Sequence, residues 1–596
     1  MARKSAAPQP QKMPWLAITA IFALALIPYL VTLTYDFTFD DGVIVSRNPF
    51  VQELGHWKQI FWSDYWPGMH SALYRPLTIL SYAIERWLHG SGAAGFHFVN
   101  VVLNAGSSVL VFLIAAEILG VGWGAALAGG LFALHPIHTE VVAGIVGRAE
   151  LLSTLFGLCA LYLVILGKEA SAMPGKSYVW ALLLFLLAMA AKENAIVVLA
   201  FVFLWKLSRL RLVEQGSAGY LKQLIHPQLL GFAGAAVFFL LLRTMVLGGV
   251  AASFNPNPPF VENPLAGQPA SVRVMTAIAN QAHGLILNFW PWPLRADYSY
   301  QTLPAPSAGF SLNLLVMLIF TLACLALWTI RRRWAANMAF ASSWYLFAIL
   351  PASNILFIVG TIFAERLYYL PSAGIAIAIA LLWSMATKSR AGDWSVPQPV
   401  GARVLFGIAA AVLVMLATLT MLRLPVWKND LALFTDTVEK APENVKARLW
   451  LGDALVLSGE YSAAIDQYQK ALEIYPDYGA AAANLVVPLS RLRRTQEAIE
   501  SGEKALTLLK AGNTVVLYNL ATAYLEAGNP VRFLEYIQRV ISLEPRNANA
   551  QYQLGMYYWQ HERNRDKARQ HFQQALGIDP NSSNAANIKR LFPELR

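Results

Sequence analysis

The sequence predicts an all-α protein in two parts: a polytopic membrane domain of about eleven spans over residues 1–423, then a solenoid of paired helices over residues 424–596. Three observations predict it. Of the 596 residues 56% are apolar and only 14% charged, whereas a soluble domain is about a quarter charged. The apolar residues fall in long runs up to Arg423, and after Pro425 the runs stop and charge rises. The tail then repeats its small and aromatic residues with a period of 34 to 35.

A helix crossing hydrocarbon needs about 20 mostly apolar residues. Candidate spans begin near Trp15, Phe98, Val121, Leu151, Tyr178, Ala195, Leu229, Leu312, Met338, Leu370 and Val404. The fifth and sixth are short and separated by Lys192-Glu193-Asn194. The first follows Arg3, Lys4 and Lys12, is about 20 residues long and lacks a small-residue cleavage site before Tyr35, so it reads as an uncleaved span. Residues 272–292 are apolar but carry Asn280, Gln281, His283 and Asn288, and read as an interfacial helix in an outer loop of residues 248–310.

Charge orients these spans. Residues 1–423 hold 26 Lys and Arg against 16 Asp and Glu, so nearly all of the net charge of +11 lies beside apolar runs. With the N-terminus inside, the inner segments hold 15 basic residues: Arg3, Lys4, Lys12, Lys168, Lys176, Lys206, Arg209, Arg211, Lys222, Arg331, Arg332, Arg333, Lys388, Arg390 and Arg403. The longer outer segments hold nine. The positive-inside bias therefore predicts a cytoplasmic N-terminus and, after eleven spans, an extracytoplasmic tail. The basic pI belongs to this bias, and nucleic-acid binding is excluded as its reason. The two cysteines, Cys159 and Cys324, sit inside apolar runs and read as small buried residues.

In the tail, Gly452, Tyr461, Ala464, Tyr468, Ala471 and Pro476 match the tetratricopeptide (TPR) consensus. Ala498 and Ala505 recur 34 residues on; Ala521, Tyr524, Gly528 and Pro545 mark a third repeat, and Gly555, Tyr558, Ala568, Phe572, Ala575 and Pro580 a fourth. Small residues let paired helices approach closely, and Pro476, Pro545 and Pro580 end the second helices of the first, third and fourth repeats. Residues 583–594 read as a capping helix. Such arrays carry a concave groove suited to an extended peptide or partner protein, by analogy of fold; a rigid spacer or lid is the plainer reading.

The chemistry-bearing residues gather at the outer ends of the spans. The first outer loop, residues 35–96, opens with Asp40-Asp41, a paired carboxylate just beyond a span: a catalytic base, or a solvated loop. Arg75, in Tyr74-Arg75-Pro76, has the forked geometry that grips a phosphate, or snorkels to a headgroup. The third span ends in His135-Pro136-Ile137-His138-Thr139-Glu140 and the fourth begins at Gly147-Arg148-Ala149-Glu150. His135, His138 and Glu140 include metal-ligand types, although their spacing fits no zinc helix motif; phosphate or substrate contact fits better, and a hydrogen-bonded turn is the bland alternative. Lys192-Glu193, Arg295-Ala296-Asp297 and Glu365-Arg366 fall on the same face, each readable as a local ion pair. The topology comes from loop charge alone, yet it puts every one of these clusters on one side.

Phe39-Asp40-Asp41, Tyr74-Arg75-Pro76-Leu77, Phe96-His97-Phe98-Val99-Asn100, the His135–Glu140 block, Gly147-Arg148-Ala149-Glu150, Lys192-Glu193, Leu294-Arg295-Ala296-Asp297-Tyr298-Ser299 and Glu365-Arg366 occur in this order ahead of the repeats. The pattern resembles the TMTC-like (transmembrane and TPR repeat-containing) O-mannosyltransferases of the GT-C glycosyltransferase superfamily, along essentially the whole chain. About four repeats are fewer than typical animal members carry.

The resemblance implies a GT-C-like fold and transfer of a sugar, mannose by analogy, from a polyprenyl-phosphate donor to a Ser or Thr hydroxyl of an acceptor protein on the extracytoplasmic side. It implies Asp41, or else Asp40, as the base of an inverting displacement. Arg75, Arg148 and Arg366 would meet the lipid phosphate, with His135, His138, Glu140, Lys192, Glu193 and Glu365 around them. A divalent cation stays open as cofactor. The short loops and compact repeat array point to a bacterial inner membrane, tail in the periplasm, over an organelle lumen. Two other classes compete: a TPR-bearing membrane scaffold without catalysis, and a lipid-linked-sugar transporter. A transporter would place polar residues at mid-bilayer, whereas here they sit at span ends.

Overall fold

The computed structural model describes residues 14–66, 73–167, 175–210, 227–249, 258–307, 309–389, 392, 394–395, 399–509 and 512–595. Of the inner basic residues counted above, Arg3, Lys4, Lys12, Lys168, Arg211, Lys222 and Arg390 lie outside this set. Among the described residues every regular element is helical. The chain divides into two compact units, Met1–Lys440 and Ala441–Arg596. Residues 430–440, placed in the tail by their composition, form the last helix of the first unit.

Seven helices of the first unit are long and apolar enough to cross a bilayer: Trp15–Thr34, Ala93–Leu119, Ile145–Leu166, Pro227–Val246, Leu312–Thr329, Glu365–Thr387 and Val400–Trp427. The other four predicted spans fall on shorter helices, Trp123–Leu134, Gly175–Ala191, Val197–Leu210 and Arg333–Ile349. At 1.5 Å per residue such helices stop short of the roughly 30 Å hydrocarbon thickness. The cause is clearest after Leu134. His135 is extended, Pro136 starts a new turn, and the chain breaks into the short pieces Pro136–His138, Thr139–Ala143 and Ile145–Gly147 before the helix from Arg148 begins. Residues 135–145 are all buried, which is where non-helical backbone is tolerated at membrane depth.

Ala93–Leu119 packs against Trp15–Leu26, Trp123–Leu134 and Arg148–Leu166. It stops at Gly120, whose φ of +87° suits glycine. The first outer loop carries the Pro76–His89 helix, entered by proline at its first position and closed by Gly90 at φ +84°. Its apolar side joins Ile44, Val45, Val51, Ile60, Phe96 and Ile145 in one cluster, so the loop is a packed body. The predicted interfacial segment is the Ala270–Leu287 helix, which packs on Leu312–Thr329.

The second unit contains four helix pairs: Val445–Leu457 with Tyr461–Ile474, Gly479–Arg491 with Thr495–Leu508, Thr514–Glu526 with Pro530–Leu543, and Ala548–Gln560 with Arg565–Ile578, followed by Ala585–Leu591. A Cβ on Gly452 would come within 2.3 Å of the Tyr468 ring, so glycine there lets the two helices of the first pair close. Asn444, Asn513 and Asn547 each accept a backbone N–H at the start of a first helix, the favoured role of Asn at that position.

Candidate functional site

The two aspartates of the first outer loop have different surroundings. Asp41 is fully buried. Its carboxylate accepts the N–H groups of Thr38 at 3.0 Å, Ile145 at 3.2 Å and Val146 at 2.8 Å, tying the loop to the turn before Arg148. Burial pushes the Asp41 carboxyl up to about 7, against the pull of those three donors. Asp40 is half-buried and acts electrostatically on Arg366 and on Tyr65.

Arg366 is the second residue of the short helical segment Glu365–Tyr368, which follows Ala364. Its guanidinium donates to Glu140 Oε1 at 2.7 Å and its own N–H to Glu140 Oε2 at 2.8 Å, a pairing across 226 residues. The Arg366 side chain keeps 29% of its surface exposed while Glu140 keeps 4%, so the cation is the accessible partner. Arg75 reaches Glu193 Oε2 at 3.1 Å, Tyr74 N–H caps the other Glu193 oxygen at 2.8 Å, and the guanidinium lies 4.8 Å from the Tyr65 ring. Burial disfavours charge on Glu193, yet Arg75 and the Tyr74 N–H outweigh it and hold the carboxyl below its ordinary range. Lys192 pairs with Glu150, and Glu150 acts in turn on Arg75 and Arg366. Asp40, Arg75, Glu140, Lys192, Glu193 and Arg366 thus share one electrostatic cluster, to which Glu150 and Tyr65 also belong.

Four further predicted site residues are placed in buried hydrogen-bonded contacts. Arg148 is wholly buried and clamped by the Glu85 carboxylate, the Asn100 carboxamide and the Phe96 carbonyl, with Tyr82 beneath it at 5.2 Å. A Cβ on the preceding residue, Gly147, would come within 2.0 Å of the Val141 carbonyl, so glycine lets the turn close beside the clamp. His135 accepts the Ile137 N–H through Nδ1 at 3.2 Å, which leaves Nε2 to donate to the Asn288 carbonyl at 3.1 Å. His138 Nε2 is 2.8 Å from Ser372 Oγ. Glu365 is buried and accepts Tyr298 O–H and Arg295 N–H. These residues join the turn at 135–150 to the loop after Leu287 and to the Tyr369–Thr387 helix.

Among the described residues no three His, Cys, Asp or Glu side chains are placed to hold a metal ion. The donor set at His135, His138 and Glu140 does not fit one: the histidines are engaged by Asn288 and Ser372 and the glutamate by Arg366. Sequence reasoning passed over Glu85, Tyr65 and Arg243. Arg243 acts on Glu193 and Arg75 from the end of Pro227–Val246. The available signal was a carboxylate beside Arg86 in an aromatic stretch for Glu85 and a lone charge near the end of an apolar run for Arg243.

Comparison with known proteins bears out the resemblance. Residues 431–479 and 518–583 match the tetratricopeptide repeat family. The chain is similar to the Homo sapiens protein O-mannosyl-transferase TMTC3, with 28% identity over 83% of this chain and 55% of that protein. It is similar to the Mus musculus protein O-mannosyl-transferase TMTC4 at 29%, over 76% of this chain and 66% of that one. The chain spans between about half and two thirds of the length of the curated relatives it matches. Among solved structures, the crystal structure of MamA aligns at 23% identity over 25% of this chain and 86% of MamA, with a TM-score of 0.23.

Proposed function

We propose that this protein is a membrane glycosyltransferase of the inverting type, which moves mannose from a polyprenyl-phosphate carrier to a Ser or Thr hydroxyl of an acceptor protein. The observation that carries this reading is the cluster of Asp40 with Arg366, Lys192 and Arg75 beside the span ends. A hydroxyl is a weak nucleophile and needs a positioned base. Asp40 takes that role: it is half-buried beside Arg366, whereas the Asp41 carboxylate is committed to three backbone amides. In one displacement the acceptor oxygen bonds to the anomeric carbon, its proton passes to Asp40, and the bond from that carbon to the phosphate oxygen breaks with its electron pair. The leaving polyprenyl phosphate gains negative charge, and cations aimed at it lower the barrier. Arg366, the exposed member of its pair, meets it first, with Arg75 and Lys192 behind.

The names of the relatives, protein O-mannosyl-transferases, support the transfer and a protein acceptor. The prenyl chain explains why the chemistry adjoins apolar helices. In this reading the N-terminus is cytoplasmic, the site and the repeats are extracytoplasmic, the repeats recruit acceptor or partner proteins, and the membrane is a bacterial inner membrane.

The test is transfer of labelled mannose from polyprenyl-phosphate-mannose to cell-envelope protein by the purified full-length chain, with the product anomer determined. The expected result is labelled protein with inverted configuration. Retention would contradict the single displacement, and no transfer from any lipid-linked sugar by a folded sample would contradict the function.

A further inference from the structure

Both sequence neighbours of Asp40 take part in carboxylate-to-amide hydrogen bonds. On one side Asp41 accepts the amides of Ile145 and Val146. On the other, Phe39 N–H donates to Asp430 Oδ1 at 2.7 Å, a bond between residues 391 apart in the chain. Two further contacts fasten the same stretch to the same place. Asp36 N–H donates to the Lys428 carbonyl at 3.1 Å, and the Phe39 ring meets the Phe434 ring edge-on with centroids 5.9 Å apart. Asp430 and Phe434 lie on the Asp430–Lys440 helix, the last of the membrane unit.

What this fastening holds is a disfavoured backbone. Phe39 has a φ of +56°, a left-handed conformation that a residue with a bulky side chain rarely adopts and keeps only where its surroundings impose it. The Phe39–Asp40 peptide plane is set by that conformation, and it sets where the Asp40 side chain leaves the backbone. A change of φ at Phe39 would re-aim the Asp40 side chain, which acts on Arg366 from its present position.

We infer that Asp430 is a positioning residue for Asp40: by accepting the Phe39 N–H, with Phe434 packed on the Phe39 ring, it holds the turn that aims the Asp40 carboxylate into the cation cluster. The inference rests on the reading of Asp40 as base.

The experiment varies donor polyprenyl-phosphate-mannose over the full-length chain and separates kcat from KM, with a thermal melt of each variant. Asp430→Ala is expected to lower kcat by about tenfold or more, as a misplaced catalytic group does, with donor KM within about twofold. Asp430→Asn, whose carbonyl oxygen accepts the same N–H, is expected to return kcat to within about threefold of wild type. Phe39→Gly added to Asp430→Ala is expected to recover part of the lost kcat, since glycine takes positive φ without strain. Should Asp430→Ala fail to fold, Phe434→Leu replaces it, with a loss in kcat and no change in KM expected. Wild-type kcat in whichever of these two is assayed, or an Asp430→Asn as inactive as a folded Asp430→Ala, overturns the inference. Asp40→Asn in the same assay separates the two claims: if it is inactive while Asp430→Ala is normal, only the positioning role falls, and if it is fully active, the base assignment falls with it.

Discussion

The two units handle charge in opposite ways. In the repeat unit the ion pairs of the described residues are exposed: Arg494 with Glu497 at 42% and 50% exposure, Arg532 with Glu535 three residues on, and Arg565 with Glu594. The membrane unit has a local pair too, Lys440 with Asp436, but it adds pairs distant in sequence and largely buried: Arg148 with Glu85 at 0% and 9%, Arg75 with Glu193, Lys192 with Glu150. An exposed pair contributes little because water screens it. A buried pair requires two desolvations, so breaking it leaves a stranded charge. The charges of the repeats therefore serve solubility and contact, while those of the membrane unit are kept against a cost and mark either a clamp or a site.

Mutations can sharpen that contrast, taken from the largest effect down. Asp40→Asn is expected to reduce transfer by at least about 10²-fold while leaving the melting temperature near wild type, since general-base catalysis supplies about 10²–10⁴. Arg148→Ala, or Glu85→Ala, is expected to cost about 3–5 kcal/mol of stability, seen as a large fall in melting temperature, by stranding a buried charge. The double variant should fall less than the sum of the two, because each single change already breaks the pair.

Asp41→Ala leaves the amides of Thr38, Ile145 and Val146 without their acceptor, and should cost about 1–3 kcal/mol. Its pH dependence carries a sign. The Asp41 carboxyl lies near 7 when folded and near 3.8 when unfolded, so between those values the folded state holds the extra proton and stability falls as pH rises. Melting from pH 5 to pH 8 should therefore decline more steeply for wild type than for Asp41→Ala. Smallest of all, Arg494→Ala in the repeats should leave the melting temperature unchanged, because its pair with Glu497 is solvated.

The helices and the repeats were legible because periodicity and composition are local. The Tyr468 and Phe572 positions announce their packing through the glycines they face, Gly452 and Gly555. Span length was less legible. Hydropathy does not show that the chain after Leu134 folds into short buried turns, since buried backbone there is satisfied by tertiary partners such as Asn100, which donates to the Gly144 carbonyl at 3.0 Å. Site residue types could be read from motifs, but their pairing could not. Nothing in spacing joins Glu140 to Arg366 or Arg75 to Glu193, which meet only through the packing of the helices between them. Nor does an Asp-Asp dipeptide show which carboxylate the backbone amides take. That depends on the Phe39 turn and on Asp430, far along the chain.

The most direct test of the central claim, that the half-buried Asp40 does the chemistry and the fully buried Asp41 holds the loop, is the initial rate of mannose transfer by Asp40→Asn and Asp41→Asn measured side by side with their melting curves. The account predicts an Asp40→Asn protein that melts like wild type and does not transfer, beside an Asp41→Asn protein that melts lower and retains transfer in its folded fraction. A stable, active Asp40→Asn protein beside a stable, inactive Asp41→Asn protein would contradict it.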